Sequence, residues 1–398
     1  MISPDPPHPA DQPWPRKATL LAASSLTVMS GATIAPSLPA VADHFAATPD
    51  VALLTRLVLT VPALFIAICA PLAGLIIDRF GRKRMILGAT LVYVVAGTSG
   101  AMLDTLYGIL IGRALLGVAV AGIMTTATTL AGDYFDGPAR ARFMGLQASS
   151  MAFGGVVFIA VGGLAADLHW RGPFFVYLAA LALIPAMALT LYEPQRPRPT
   201  PAHTGSTTPV SAPWGLVALL FGTQIFTFVA FYMIPVQLPF YLRELGVAEP
   251  RLAGLAIASG ALVAAITSIG YARIRARLSP PTIVALSFAL MAAAYAAIAS
   301  AETFPAVLAA LVFAGMGMGA IMPNLSLWLM SSAPPALRGR LIGGMTASVF
   351  LGQFLSPLLV QPVAGPFGLA TAYAATAGAL LLVAAGFAVH TLRRRNGS

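Results

Sequence analysis

The densest group of charged residues lies between two long apolar runs, from Gly74 to Arg84. Its one acid, Asp78, stands among four cations, in a chain of which only 9% is charged. A carboxylate in this position can pair with nearby cations and accept hydrogen bonds from backbone N–H groups at a helix N-terminus. Gly74 and Gly81 permit close helix packing and a tight turn. The four cations are Arg79, Arg82, Lys83 and Arg84.

A single arginine, Arg113, interrupts another apolar run, and Gly117 follows it about one helical turn later. In a helix, this guanidinium would lie roughly 10 Å from the nearer end. A charge at that depth in hydrocarbon needs a carbonyl, a carboxylate or a water-filled cavity around it. Arg113 is therefore either a functional cation or an arginine that snorkels or is bonded for structural reasons.

The elements that must position these residues are helices that cross a membrane. Of the 398 residues, 58% are hydrophobic and the mean hydropathy is +0.85, whereas a soluble domain carries about a quarter charged residues. This composition indicates a multi-spanning protein embedded in a lipid bilayer. The net charge of +10 does not predict a nucleic-acid partner, because the basic residues fall in small groups between apolar runs. The lone cysteine, Cys69, excludes an intrachain disulfide, and we expect neither a metal site nor a cofactor.

Twelve apolar runs are each long enough to cross about 30 Å of hydrocarbon as a helix, which predicts an all-α fold. A stretch rich in Pro and Thr separates them six and six, so we expect two pseudo-symmetric six-helix bundles. The runs lie near residues 18–42, 51–77, 85–103, 106–132, 143–166, 172–192, 214–241, 250–272, 280–300, 303–332, 341–362 and 367–391. The predicted parts are an N-terminal tail (1–17), a first bundle (18–192), a linker (193–213), a second bundle (214–391) and a basic tail (392–398).

Basic residues collect on the cytoplasmic side of membrane proteins. With the N-terminus in the cytoplasm, 18 of the 23 Lys and Arg residues fall on that side. Both termini and the linker are therefore predicted to be cytoplasmic. The remaining five are Arg113, inside a helix, and Arg56, Arg171, Arg243 and Arg251 on the opposite side.

The two halves also carry an internal repeat, because Gly117 recurs as Gly315, 198 residues later and half a chain away. At the same offset Arg140 and Arg142 recur as Arg338 and Arg340, and Gly145 recurs as Gly343. The 74–84 segment has a basic counterpart at 270–277, which contains no acid. We therefore do not assign the same role to both segments.

Twelve spans, a central linker and the 74–84 segment together resemble the major facilitator superfamily of secondary transporters, from about residue 18 onward. The loop signature of that family, Gly-x-Leu-Ala-Asp-Arg-x-Gly-Arg-Lys, is matched here except at Ile76 and Ile77. The resemblance implies a conformational latch between the two bundles. A purely topogenic basic loop would explain the cations but not the acid or the two glycines. The latch residues would be Gly74, Asp78, Arg79, Gly81, Arg82 and Lys83.

Arg113 and Gly117 resemble the Arg-x-x-x-Gly pattern of proton-coupled exporters in this superfamily, which implies that they relay a proton or contact substrate. The exporter glycine pair is present as Gly162-Gly163, but Phe158-Ile159 stands where that group carries Gly-Pro. The pattern is nearest to bacterial drug or sugar efflux proteins of the drug–proton antiporter kind. We therefore expect a monomeric exporter of a small organic solute, in exchange for protons, in the inner membrane of a bacterium.

In this family the first, fourth, seventh and tenth helices line a central cavity. Polar and aromatic residues at helical spacing on those helices, and on the fifth and eleventh, are therefore candidates for its wall. An amide in a spanning helix can instead bond to a neighbouring helix, and an aromatic ring can simply pack. The candidates are Ser30, Thr33, Gln147, Gln224, Phe228, Tyr232, Asn324, Trp328 and Gln353.

The acidic residues leave the proton coupling open, because none of the 13 lies in the middle of a span. Coupling could use a carboxylate at a helix end, such as Asp43 or Asp133, or transport could be uncoupled. An uptake permease or facilitator is the alternative function, and a non-transporting receptor is a remote one. An enzyme is not expected, since the sequence has no nucleotide-binding loop, no nucleophile elbow and no clustered histidines.

Overall fold

In a computed structural model the chain is described over residues 12–194, 213–334 and 337–396, without the side chains of Asp78 and residues 393–396. Most of the predicted N-terminal tail and linker lies outside these residues. Every regular element within them is helical. The first ten spans are α1 (Trp14–His44), α2 (Val51–Phe80), α3 (Arg82–Thr98), α4 (Leu106–Tyr134), α5 (Gly137–Leu168), α6 (Gly172–Thr190), α7 (Trp214–Glu244), α8 (Pro250–Ile269), α9 (Pro280–Ala299) and α10 (Phe304–Ser332).

The last helical stretch, Arg338–Asn396, contains two spans. As one helix its 59 residues would extend about 90 Å, roughly three times the hydrocarbon thickness. Gly368 interrupts it with φ 84° and ψ 164°, a conformation that glycine adopts without strain. The two spans are α11 (338–367) and α12 (369–396). The predicted all-α fold with twelve membrane-spanning helices is therefore confirmed.

The two halves pack by the same scheme. In the first half α2 and α3 pack on α4, and α1 packs on α5. In the second half α8 and α9 pack on α10, and α7 packs on the α11–α12 stretch. The halves meet where α5 packs on α8 and where α2 packs on that same stretch.

Close helix crossings repeat at the offset seen in the sequence. A Cβ added to Gly117 of α4 would lie 2.4 Å from the carbonyl oxygen of Pro62 in α2. A Cβ added to Gly315 of α10 would lie 2.5 Å from the carbonyl oxygen of Gly260 in α8. Pro62 and Gly260 are themselves 198 residues apart, so the internal repeat is present in the helix packing as well as in the sequence.

We call the end of the molecule with the α2–α3, α4–α5, α8–α9 and α10–α11 connections the terminal face; α1 starts there, and α6 and α12 end there. The opposite end, with the α1–α2, α3–α4, α5–α6, α7–α8, α9–α10 and α11–α12 connections, is the distal face. The charged 74–84 segment lies at the terminal face, but it is not the loop that its composition suggested. The α2 helix continues through Phe80, α3 begins at Arg82, and Gly81 alone makes the turn, with φ 92°.

Two other expectations about the chain are corrected. A Cβ on Gly74 would meet nothing within 4 Å, so this glycine allows no close packing in this conformation. Arg140 and Arg142 lie inside α5, which starts at Gly137, rather than in a loop before it. Arg56, assigned from the sequence to the opposite side, lies near the distal start of α2 and is only 6% exposed.

Candidate functional site

A cavity of about 470 Å³ lies between the two halves. Its wall comes from α1, α2, α4, α5, α7, α8, α10 and α11, and it extends from Leu59 near the distal end of α2 to Ser268 near the terminal end of α8. The wall thus reaches nearly to the terminal face along α8. The described residues of its wall include no charged side chain. Prominent members of the wall are Phe228, Phe231, Tyr232, Met318, Met322 and Phe350.

Four of the nine predicted cavity residues lie in this wall. Ser30 belongs to α1, Phe228 and Tyr232 to α7, and Gln353 to α11. The ring of Tyr232 approaches α1 closely, since a Cβ on Gly31 would lie 3.0 Å from its Oη. The structure thus brings together residues that are far apart in sequence, around one apolar space.

The other predicted polar residues bond inside their own half. The Gln147 amide donates to Ser24 Oγ at 2.8 Å, and the Asn324 amide donates to the Pro280 carbonyl at 3.0 Å. A buried amide in a low-dielectric medium is costly without a partner, so a neighbouring helix competes with the cavity for it. Thr33 donates to the Met29 carbonyl, Gln224 donates to Met322 Sδ, and Trp328 packs against the hydrophobic core. The predicted residues outside the wall are therefore Thr33, Gln147, Gln224, Asn324 and Trp328.

Arg113 is 1% exposed and lies behind the cavity wall. Its Nε donates to the Val58 carbonyl at 2.8 Å, and Nη1 donates to Tyr177 Oη at 2.8 Å. Its Nη2 donates to the carbonyl of Ser30, the residue that lines the cavity. Arg113 thus joins α4 to α1 and α2 through carbonyl groups and to α6 through the Tyr177 hydroxyl, the polar partners that a buried charge requires.

The chain leaves these carbonyls free for a local reason. Pro62 has no N–H, so it cannot bond to the Val58 carbonyl four residues earlier in α2. Ser30 lies in the last turn of the regular helix Trp14–Ala32, where carbonyls lack partners within the helix. Tyr177 Oη also donates to the Ser30 carbonyl, at 2.9 Å. Arg113 is therefore placed where two helices expose backbone acceptors.

At the terminal face, the charged segment is tied to the end of α6. The Glu193 carboxylate accepts hydrogen bonds from the backbone N–H groups of Arg82 and Lys83, each at 2.8 Å, at the N-terminus of α3. The Arg82 guanidinium pairs with Asp133 of α4 at 3.1 Å. This position at the helix N-terminus is the one the sequence suggested for Asp78, whose side chain lies outside the described structure.

At the distal face, the halves are bonded to each other. Arg56 Nε of α2 donates to Gln237 Oε1 of α7 at 2.5 Å, and its guanidinium lies 4.1 Å from the Phe240 ring centroid. Two more ion pairs cross between the halves, Arg243–Asp43 at 2.6 Å and Arg251–Asp167 at 3.6 Å.

The distal contact between α5 and α8 depends on small residues. A Cβ on Gly163 would lie 3.1 Å from the Arg251 Cα, and one on Gly254 would lie 3.0 Å from the Ile159 carbonyl oxygen. Gly163 belongs to the glycine pair noted in the sequence. Its role here is to let two backbones meet at the closed end of the cavity.

Sequence reasoning missed Arg56, Gln237 and Glu193. Arg56 carried a usable signal, since it stands five residues inside an apolar run rather than between two runs. Gln237 lies between Pro235 and Pro239 in α7, which marks an irregular helix end but not a bonding partner. Glu193 had no local signal, because its partners are more than 100 residues earlier in the chain.

The family model described as Major Facilitator Superfamily matches residues 20–357 and 220–397. The chain belongs to the Major Facilitator Superfamily. It is therefore a membrane transporter for small molecules rather than an enzyme, as the sequence predicted. No group of three or more residues suited to holding a metal ion occurs among the described residues of this transporter.

Several relatives in the superfamily resemble the chain over nearly its whole length. It is 27% identical to "Multidrug resistance protein MdtG" of Citrobacter koseri, over 97% of this chain and 98% of the relative. It is 23% identical to "Multi-drug resistance efflux pump PmrA" of Streptococcus pneumoniae, over 88% and 90%.

Solved structures of the superfamily share the fold. A bacterial homolog of the human lysosomal transporter Spinster, inward-facing and unoccupied, superposes with a TM-score of 0.77 at 18% identity, over 95% of this chain and 96% of that chain. The D-xylose-proton symporter superposes with a TM-score of 0.74 at 16% identity, over 93% and 96%. At these identities the likeness establishes the architecture of the transporter alone.

Proposed function

We propose that this transporter works by alternating access and exports a small, largely apolar organic solute in exchange for protons. The observation that carries the proposal is the apolar cavity between the halves, which contacts between the halves close at the distal face. Its volume of about 470 Å³ suits a drug-sized molecule. The names of MdtG and PmrA, both efflux or multidrug resistance proteins, support export.

The chemistry of the wall supports a solute that is mainly apolar and carries one or two polar groups. Phe228, Phe231 and Phe350 offer ring faces, and Met318 and Met322 adapt to irregular shapes. Tyr232 and Gln353 are placed to orient the solute by hydrogen bonds. A solute with a full charge would find no counter-charge in the described wall and would keep a large desolvation cost.

Proton exchange requires a group that titrates, and arginine does not. The carboxylates we propose for it are Asp43 and Asp133, each in an ion pair at one end of the bundle. The alternative is a facilitator or uptake permease, which the uncharged wall favours. The distribution of basic residues supports an orientation with both termini in the cytoplasm. We also propose a monomer in the inner membrane of a bacterium, since the relatives named above are bacterial.

We also propose that the 74–84 segment is a latch between the two states. Asp78, Arg79, Arg82 and Lys83 supply its charges, and the Gly81 turn brings the two helix ends together. Such a cluster can favour one of the two transporter conformations when its charges have different partners in each conformation. The Arg82–Asp133 pair and the Glu193 contacts support a bonded, rather than merely topogenic, segment.

The decisive experiment is transport by the purified protein in liposomes with an imposed pH gradient, using cationic drugs, sugars and organic acids. We expect flux of a weakly polar organic solute that responds to the gradient and moves protons, read by a pH-sensitive dye. Solute flux without proton movement would establish the facilitator. No flux with any solute would favour the non-transporting receptor as the function.

A matched pair of tyrosines tests the cavity in the same assay. Tyr232→Phe removes a hydroxyl from the wall and should raise the KM of the transported solute about threefold, the effect of one hydrogen bond. Tyr295→Phe removes a buried hydroxyl of α9 outside the wall and should leave KM unchanged. Equal KM values in both variants would argue against this cavity as the binding site.

A further inference from the structure

A charged side chain is buried where the two halves meet at the distal face. Arg56 is 6% exposed, and its partner Gln237 is fully buried. Within α2, Nη1 donates to the Ala52 carbonyl at 2.5 Å, while Nε reaches across to Gln237 Oε1 at 2.5 Å. The ring of Phe240, one turn further along α7, lies 4.1 Å from the guanidinium. A charge at such a site is retained only when it has a function or bonds that compensate its burial.

The three polar connections between the halves differ in strength. The Arg243–Asp43 pair is exposed on both sides, with side chains 46% and 59% accessible. The arginine of the Arg251–Asp167 pair is 58% accessible, whereas Asp167 is 20% accessible and also accepts a hydrogen bond from the Arg251 backbone N–H at 2.9 Å. Exposed ion pairs contribute little, because water and salt screen them. A hydrogen bond from a buried guanidinium, together with a cation–π contact, contributes more.

We propose that Arg56 is the residue that holds the distal end of the cavity closed, through Gln237 and Phe240 of the other half. This inference rests on the proposed alternating access. Arg56 is a positioning residue: it does not line the cavity, but it sets how often the distal end opens. The ion pairs of the exposed Arg243 and Arg251 side chains guide the halves together, and the hydrogen bond from the Arg251 backbone to Asp167 supports the same closed state.

The chemistry of the partner allows this closure to be reversible. The hydrogen-bond partner Gln237 is a neutral amide, so opening breaks a charge–dipole bond rather than a direct ion pair; the Glu244 carboxylate of α7 attracts the guanidinium without a direct bond. The Nε2 of Gln237 has no hydrogen-bond partner among the described residues in the closed state, which reduces the net gain on closure. Pro235 and Pro239 each remove a backbone hydrogen bond from the surrounding segment of α7.

The test measures opening directly, with no need for a known substrate. In a Cys69→Ser background, Ala261→Cys places a reporter thiol in the cavity wall on α8. Oriented proteoliposomes are then exposed to a membrane-impermeant maleimide from the distal side or from the terminal side. Arg56→Ala should raise the labelling rate from the distal side about tenfold and lower it from the terminal side, as expected for the loss of one charged hydrogen bond.

A second variant makes the opposite prediction. Gln237→Glu gives Arg56 a carboxylate partner and should lower distal labelling about tenfold. The matched control is Arg243→Ala, an arginine at the same face in an exposed pair, which should change distal labelling by less than about threefold.

Several outcomes would overturn the proposal. Unchanged distal labelling in Arg56→Ala, or higher distal labelling in Gln237→Glu, contradicts it. So does an Arg243→Ala effect as large as that of Arg56→Ala. Increased labelling from both sides would mean that the bundle has loosened, which also contradicts a specific closure. If labelling is sided as expected but no solute is transported, the proposed transport function fails while the role of Arg56 stands.

Discussion

Arg113 in the first half and Leu311 in the second occupy equivalent positions, 198 residues apart, and both are buried. The surrounding helices approach each other about equally closely, through the glycine contacts at Gly117 and Gly315. One half nevertheless buries a guanidinium with three hydrogen bonds, and the other buries a plain hydrocarbon side chain. The shared architecture therefore does not require the charge.

The difference follows from one residue of the neighbouring helix. Pro62 in α2 leaves the Val58 carbonyl without its helical partner. The equivalent of Pro62 in the second half is Gly260, which keeps its N–H, so no carbonyl of α8 is released at that level. A buried acceptor needs a donor, and Arg113 supplies it where the proline has removed the backbone one. At Leu311 no donor is needed, because Gly260 keeps its N–H and α8 releases no carbonyl at that level.

The largest expected effect comes from exchanging these two residues. Arg113→Leu leaves the Ser30 and Val58 carbonyls and the Tyr177 hydroxyl without this donor, and should lower the free energy of unfolding by about 3 kcal/mol. Thermal unfolding in detergent measures it. Adding Pro62→Ala should recover about 1 kcal/mol, because it restores a helical N–H for Val58.

The reciprocal exchange should be worse. Leu311→Arg places a charge at the apolar cavity wall, where α8 offers it no free carbonyl, and should abolish recovery of folded protein. A stable Arg113→Leu, or a failure of Pro62→Ala to restore any stability to it, would contradict the explanation.

An intermediate effect is expected at the terminal face, where the 74–84 segment contains an acid and its counterpart at 270–277 does not. Asp78→Asn should slow turnover about tenfold, or about 1.4 kcal/mol of barrier, while leaving the unfolding temperature unchanged. The control in the other half is Arg275→Ala, an exposed arginine that donates only locally, to the Leu278 carbonyl at 3.2 Å. It should turn over the transported solute at the native rate. A native turnover rate in Asp78→Asn would contradict the proposed latch.

The smallest expected effect is a difference in the free energy of unfolding between variants of two buried tyrosines. Tyr177 Oη donates to the Ser30 carbonyl and accepts from Arg113, so Tyr177→Phe should cost about 1 kcal/mol. Tyr373 Oη of α12 is buried without a hydrogen-bond partner among the described residues. Tyr373→Phe should therefore be neutral or slightly stabilising, by chemical or thermal unfolding. An equal loss in both would mean that Tyr373 is bonded in the membrane as well.

Some of the site could be predicted and some could not, for reasons that differ by residue. The need of Arg113 for carbonyl partners followed from its depth in an apolar run, and the structure supplies them. The turn at Gly81 followed from its residue type, although its length of one residue did not. The bonding of Gln147 to Ser24 and of Asn324 to Pro280 could not be read from helical spacing, because a helix face meets either a neighbouring helix or the cavity.

By itself, the sequence determined that the chain crosses a membrane twelve times in two related halves. Hydrocarbon excludes charge and requires that backbone groups be bonded within each helix, so the apolar runs and their basic ends suffice for that conclusion. Only the tertiary structure decided that Arg56 donates a hydrogen bond to Gln237 of the other half and that Glu193 caps the N-terminus of α3. Both contacts join residues more than 100 positions apart, and no local pattern records which side chains such distant helices bring together.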